Sequence, residues 1–290
     1  MGQTRSARSP SDTAASRWSK RVAILVGVLA GGALAVYVAV TALTPMLLPP
    51  AHSDYVPRDP ALRSRSLYFY VPHGTEPRAR VLVFFFGNDV GFWAAHQQLA
   101  ADLASHGYDV VGYDVKPLID SLPRGGTVAA AAQREAIFTT RLADLIRASR
   151  RELGADTLPL VLVGHSFGAE LAVWTASQLS LPRLRGVVAI APAPRGHLAI
   201  TAADLANIGD PREPGSFSVA ATVATLPRSM RIALLRGGHD RLARADSAII
   251  RAGGSRLRYW VIPLAGHSLR NVLVARYAVR DAVAWAARPF

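Results

Sequence analysis

The chain has 290 residues, a formal net charge of +13, a half-hydrophobic composition and no cysteine. That length can bury one large core, with or without a membrane segment, and the missing cysteine excludes disulfides and thiolate metal sites. The arginines are scattered and not interleaved with aromatics, which argues against a nucleic-acid partner and for a basic surface facing solvent or anionic lipid.

Residues 1–21 are polar and basic, without apolar periodicity, and are expected to be a disordered tail. The run "VAILVGVLAGGALAVYVAVTAL", Val22 to Leu43, carries no charge. Roughly 20 apolar residues span a bilayer as a helix. A cleaved signal peptide needs only about 7–15. The run therefore reads as an uncleaved transmembrane anchor, 22–43. Basic residues precede it, so the tail is expected in the cytoplasm and everything after Pro45 outside it. Gly27 and Gly31 form a weak GxxxG helix-packing signal. Residues 44–65 include Pro45, Pro49, Pro50, Pro57 and Pro60, and are expected to be an extended linker.

From residue 66 to 290 short apolar runs alternate with longer amphipathic ones. "SLYFYV" (66–71), "VLVFFFG" (81–87) and "YDVVGYD" (108–114) read as strands. So do "LPLVLVG" (158–164), "RGVVAIAP" (185–192), "RIALLRG" (231–237) and "LRYWVIPL" (257–264). Helical spacing fits 92–107, 127–153, a segment from about Gly168, 241–252 and 268–287, the first two closed by Gly107 and Gly154. The alternation predicts an α/β fold, a mostly parallel sheet with helices on both faces. Residues 193–228 break the rhythm with Pro194, Pro211, Pro214, Pro227, Gly196, Gly209 and Gly215. Such an insertion is either a lid over the site or a surface excursion.

The chemistry centres on Gly164-His165-Ser166-Phe167-Gly168, between the strand "LPLVLVG" and a helix. A sharp turn there exposes the serine hydroxyl at the carboxyl end of the sheet, where open α/β sheets bind ligands. A serine nucleophile needs a base, and the base needs an orienting acid. The next strand ends supply Asp240 and then His267, in the order that this fold uses. Competing residues fit less well. His165 lies inside the turn and cannot easily reach back to Ser166. His239 adjoins Asp240 in a tight loop, and Asp246 falls inside an expected helix. The backbone N–H of Phe167 is one expected oxyanion donor. The second is the N–H of Asn88, with Gly87 as the alternate. This chemistry requires no cofactor and no metal.

Over 66–290 these features resemble the α/β-hydrolase superfamily. Within it, "FFFGNDVGFWAAHQQLAADLASHGYDVVGYD" and "VGHSFGAELAV" resemble the VirJ/AcvB-type bacterial virulence proteins. The resemblance implies an exported serine hydrolase that releases lysine from lysyl-phosphatidylglycerol, an aminoacylated membrane lipid. Asn88, Asp89 and Val90 stand where that family's pattern has Asp-Gly-Gly. For a lysyl substrate, Asp89, Asp114 and Glu170 near strand ends are candidate partners of the ammonium. The expected partners are thus an ester or phospholipid and the bacterial cytoplasmic membrane, with the catalytic domain on its outer, periplasmic or extracellular face. Two other activities fit the same residues: acyl transfer to an acceptor other than water, and a non-catalytic accessory role in export.

Overall fold

The computed structural model describes residues 10–38, 49–53, 55–63, 66–73, 79, 81–201, 210–268 and 272–289. The chain divides into two compact units, Met1–Leu47 and Leu48–Phe290.

The first unit contains helix α1, Pro10–Val38. The basic tail, expected to be disordered, is helical from Pro10. A proline suits the first turn of a helix, and lengthening an existing helix fixes only one residue per added bond. The apolar run is helical as far as Val38, and 39–43 lie outside the described residues. Among the described residues, no helix is long and apolar enough to cross a membrane.

In the second unit the strands are β1 (Leu67–Tyr70), β2 (Leu82–Phe86), β3 (Asp109–Tyr113), β4 (Leu160–His165), β5 (Leu184–Ile190), β6 (Arg195–Gly196), β7 (Phe217–Ser218), β8 (Arg231–Gly237) and β9 (Leu257–Ile262). The helices are α2 (Ala94–Ser105), α3 (Lys116–Asp120), α4 (Val128–Glu152), α5 (Phe167–Gln178), α6 (Val219–Thr225), α7 (Asp246–Gly253) and α8 (Val272–Ala286). The main sheet runs β1-β3-β2-β4-β5-β8-β9. Every pairing is parallel except that of β1 with β3.

Alternation along the strands divides the core between the two faces. Phe84, Phe86 and Leu162 pack with Phe138, Leu142, Leu171 and Trp174 of α4 and α5. Val83, Phe85 and Val163 pack with Leu99, Leu103, Val279 and Val283 of α2 and α8. All residues of β2 and β4 are buried, because helices cover both faces of the sheet. The chain builds β2 and β3 in one direction, then crosses to place β4 on the other side of β2. The carboxyl ends of β2 and β4 are therefore neighbours, with Phe86 opposite Gly164 in register. That reversal opens the crevice where a ligand can sit.

Two expectations are corrected here. The proline-rich stretch is not a free spacer in its described part. Leu62 is 2% exposed, and the Tyr55 ring lies 5.7 Å from Phe69. Glu152, at the end of α4, accepts bonds from the Tyr55 hydroxyl (2.8 Å) and from the backbone N–H groups of Arg58 (2.6 Å) and Asp59 (3.1 Å). Pro60 opens a short 3-10 turn over Pro60–Leu62, capped by Asp59, and Leu62 of that turn reaches the core. The basic excess is likewise not all surface. Arg134, Arg150 and Arg256 are buried and donate to backbone carbonyls, among them Gly125, Asp156, Leu158 and Val223. Carbonyls in loops and in the last turn of a helix lie outside the regular ladder, and a guanidinium supplies five donors to them.

Candidate active site

Ser166 follows the last residue of β4 and caps α5, with φ 53° and ψ −123°. This left-handed backbone is costly for a residue with a Cβ, by about 1–3 kcal/mol. The flanking glycines explain how the turn is accommodated. A Cβ on Gly164 would lie 2.0 Å from the Gly168 carbonyl oxygen. A Cβ on Gly168 would lie 2.1 Å from the Gly87 carbonyl oxygen. Helix α5 thus starts hard against both β4 and the loop after β2.

The structure brings the three predicted residues together. Ser166 Oγ is 2.8 Å from His267 Nε2, and His267 Nδ1 is 3.1 Å from Asp240 Oδ2. His267 follows β9, and Asp240 follows β8. Asp240 Oδ1 accepts the Leu242 N–H at 3.0 Å, capping a 3-10 turn over Arg241–Ala245. This turn replaces the first part of the single helix expected over 241–252. Asp246 then opens α7 and points inward.

What it points at was missed from the sequence. Arg236, inside β8, is 1% exposed. Its Nη1 donates to Asp240 Oδ2 at 2.8 Å, and its Nε and Nη2 fork onto Asp246 at 3.0 and 2.5 Å. Nη2 also donates to the Pro192 carbonyl at 2.7 Å, and the Tyr259 hydroxyl donates to Asp246 at 3.1 Å. Burial pushes the Asp240 carboxyl up, but the bonds from His267, Arg236 and Leu242 outweigh it and hold Asp240 well below the usual carboxylate range. An arginine inside an apolar strand was the available signal, since it must be paired to be buried.

His165 does not touch Ser166 by its side chain. Its Nε2 lies 2.8 Å from the His267 carbonyl oxygen, and its Nδ1 2.9 Å from Nε2 of His96 on α2. Both rings are buried, and burial lowers both basicities: His165 titrates at about 4, and His96 stays well below the ordinary histidine value. A lowered histidine pKa means that the unfolded chain takes the proton first. Stability is therefore fully present above pH ~6.5, where the unfolded histidine is neutral. It is expected to fall, by on the order of 3 kcal/mol for His165, as pH drops from there to about 4. Thermal melts across pH 4–7 check this, and His165→Leu should flatten the slope.

The loop after β2 is a tight turn in which the Gly91 N–H donates to the Asn88 carbonyl at 3.0 Å. Asn88 is 9% exposed, and its Oδ1 accepts the Val90 N–H at 3.3 Å. Gly87, the alternate oxyanion donor, is corrected: its N–H already donates to the Tyr113 carbonyl at 2.9 Å, continuing the sheet ladder. Phe167 begins α5, and the first N–H groups of a helix have no acceptor within it.

Of the three candidate partners for an ammonium, Glu170 is buried and accepts the Ala193 N–H at 3.0 Å, tethering the insertion to α5. Asp114 follows β3 beside the Gly91 turn. One carboxyl oxygen accepts the Lys116 N–H at 3.0 Å, and burial pushes its pKa up. Asp89 is half-buried in the turn itself. In the insertion, β6 pairs with β7, α6 follows, and Arg195 binds the Pro211 carbonyl (2.8 Å) and Ser216 Oγ (2.9 Å). Buried His197 pairs with Glu213, and its ring lies 6.2 Å from that of Phe167. Residues 202–209 of this segment lie outside the described residues. Among the described residues, no cluster of three or more His, Asp or Glu could hold a metal.

The sheet order and the strand–turn–helix placement of Ser166 define an α/β-hydrolase fold. No protein-family model and no curated protein matches the chain. Solved structures do. A dienelactone hydrolase from Anabaena variabilis superposes with a TM-score of 0.53 at 13% identity, over 77% of this chain and 92% of its own. An α/β serine hydrolase without lid from Xanthomonas campestris gives 0.51 at 16% identity, over 83% and 98%. The esterase domain of a Rhodothermus marinus protein gives 0.50 at 18%, over 77% and 92%. At such identities the likeness establishes the fold.

Proposed function

We propose that this protein is a serine hydrolase of carboxylic esters. One observation carries the reading: a strained, glycine-flanked Ser166 hydroxyl lies 2.8 Å from a histidine whose other nitrogen faces a buried carboxylate. His267 Nε2 takes the Ser166 proton as Oγ attacks the ester carbonyl. Asp240 holds the ring with Nδ1–H toward itself and stabilises the imidazolium. The N–H groups of Phe167 and Asn88 receive the oxyanion. His267 then protonates the departing alcohol, and water repeats the cycle on the acyl-enzyme. The esterase and hydrolase names of the structural neighbours support the same chemistry.

The finer reading is a membrane-anchored enzyme acting on a lipid ester. Val22 to Val38 of α1 carry no charge, and Ile24, Leu25, Val26, Val28 and Leu29 are each at least 58% exposed. Basic residues precede it, which favours an orientation with the hydrolase outside the cytoplasm. The VirJ-type resemblance suggests an aminoacylated phospholipid, with Asp89 or Asp114 facing the ammonium. The insertion supplies His197, whose ring lies 6.2 Å from that of Phe167 beside the nucleophile.

The full-length protein in detergent should hydrolyse 4-nitrophenyl butyrate and be labelled by a fluorophosphonate at Ser166. Turnover without a label at Ser166 would sink the assignment. Lipid profiling of cells with and without the active protein tests the substrate: an aminoacylated phospholipid should accumulate when Ser166 is inactive, and unchanged lipids would reject a lipid substrate.

A further inference from the structure

We propose that His165 is a positioning residue for His267, and that His96 fixes the tautomer in which it works. The inference rests on the serine-hydrolase reading above.

The argument starts from donors and acceptors. A carbonyl oxygen can only accept, so the 2.8 Å contact with the His267 carbonyl requires a proton on His165 Nε2. A second proton on His165 would place a cation in a fully enclosed site with no carboxylate bonded to it. The ring is therefore neutral, and its Nδ1 accepts. The 2.9 Å partner, His96 Nε2, must then be the donor. His96 in turn accepts at Nδ1, where the Trp93 N–H stands at 3.3 Å. One directed chain results, running from Trp93 N–H through His96 and His165 to the His267 carbonyl. Both ring nitrogens of His165 have a partner, and the His96 ring is bonded in addition by the Gly91 backbone.

The placement gives the chain its purpose. His165 ends β4 and Ser166 follows it in the turn, and their side chains reach different parts of His267. Ser166 meets the His267 ring, and His165 meets the His267 backbone. The same strand end thus grips the base at both its ring and its carbonyl. His267 sits in the turn between β9 and α8, outside the described helices and strands. The preceding carbonyl bonded there is that of Ala265, which accepts the His239 N–H at 3.0 Å. Losing the His165 bond removes a restraint on the His267 peptide, and an error near 1 Å in the base can cost about 100-fold in rate.

The test compares His165→Leu, His165→Gln and His96→Phe in the full-length protein, reading kcat and KM for 4-nitrophenyl butyrate, the melting temperature, and fluorophosphonate labelling of Ser166. His165→Leu should lower kcat roughly 10- to 100-fold with little change in KM. His165→Gln should recover most of it, because the amide N–H reaches the same carbonyl. His96→Phe should fall between, since it removes only the donor that selects the tautomer. Unchanged kcat in His165→Leu, with Ser166 still labelled, overturns the inference and leaves the hydrolase reading intact. Equal loss in Leu and Gln variants, tracking melting temperature, also overturns it by assigning His165 a packing role alone. A wild-type protein that neither turns over nor labels at Ser166 defeats the hydrolase reading, and this inference with it.

Discussion

Ser166→Ala should lower kcat for a chromogenic ester about 10⁴- to 10⁶-fold, the range expected when a serine nucleophile is removed from an acting triad. The fold should survive, because Ser166 Oγ bonds only His267 in this site and the alanine keeps the same backbone. Alanine does not relieve the strain, however: its Cβ meets the same contacts at φ 53°. Glycine does. Ser166→Gly should be equally inactive yet more stable than Ser166→Ala by about 1 kcal/mol, strain relief exceeding the added entropy of the unfolded chain. Chemical denaturation of the two variants measures the difference. A glycine variant less stable than the alanine one would mean that the turn stores no strain.

Arg236→Met should be the most damaging substitution away from the nucleophile. The guanidinium is one positive charge between two buried carboxylates, Asp240 and Asp246. Removing it strands both, at a cost of about 3–5 kcal/mol. For a domain of this size that corresponds to a fall in melting temperature of roughly 6–20 °C. Activity should fall as well, since Asp240 Oδ2 loses the bond that holds it toward His267. Adding Asp246→Leu should return part of the stability, because the second stranded charge disappears and the two changes are not additive. With Arg236 gone, Asp240 remains to pair with the imidazolium. A double variant no more stable than Arg236→Met would refute the charge argument. Differential scanning calorimetry decides it.

Both predictions concern groups that differ in how visible they were. Ser166, Asp240 and His267 stood out because each falls at a strand end, and short continuous apolar runs mark buried parallel strands well. The parallel sheet and α2, α4 and α8 were legible for the same reason, within a few residues at their ends. Arg236 was not, although it sits in "RIALLRG", because a charged residue in a strand looks the same whether it faces solvent or two acids. Gly87 was misjudged because a backbone N–H next to a strand carries no sign of whether the ladder continues through it. Only the pairing with β3 showed that it does. The 241–252 segment read as one helix, yet Asp240 and Asp246 divide it, each drawn inward by Arg236.

The sequence by itself determined the order of strands and helices, the elbow, and the placement of Ser166, Asp240 and His267, each after a strand. These depend on local periodicity, on turn residues and on neighbours within one element. The tertiary structure alone decided that His165 and His96, 69 positions apart, share a bond, and that His165 holds a carbonyl 102 positions away. It alone decided that the proline-rich stretch joins the core and that several arginines are internal. Such contacts depend on which strand ends the sheet order makes adjacent, and no short window of sequence contains that adjacency.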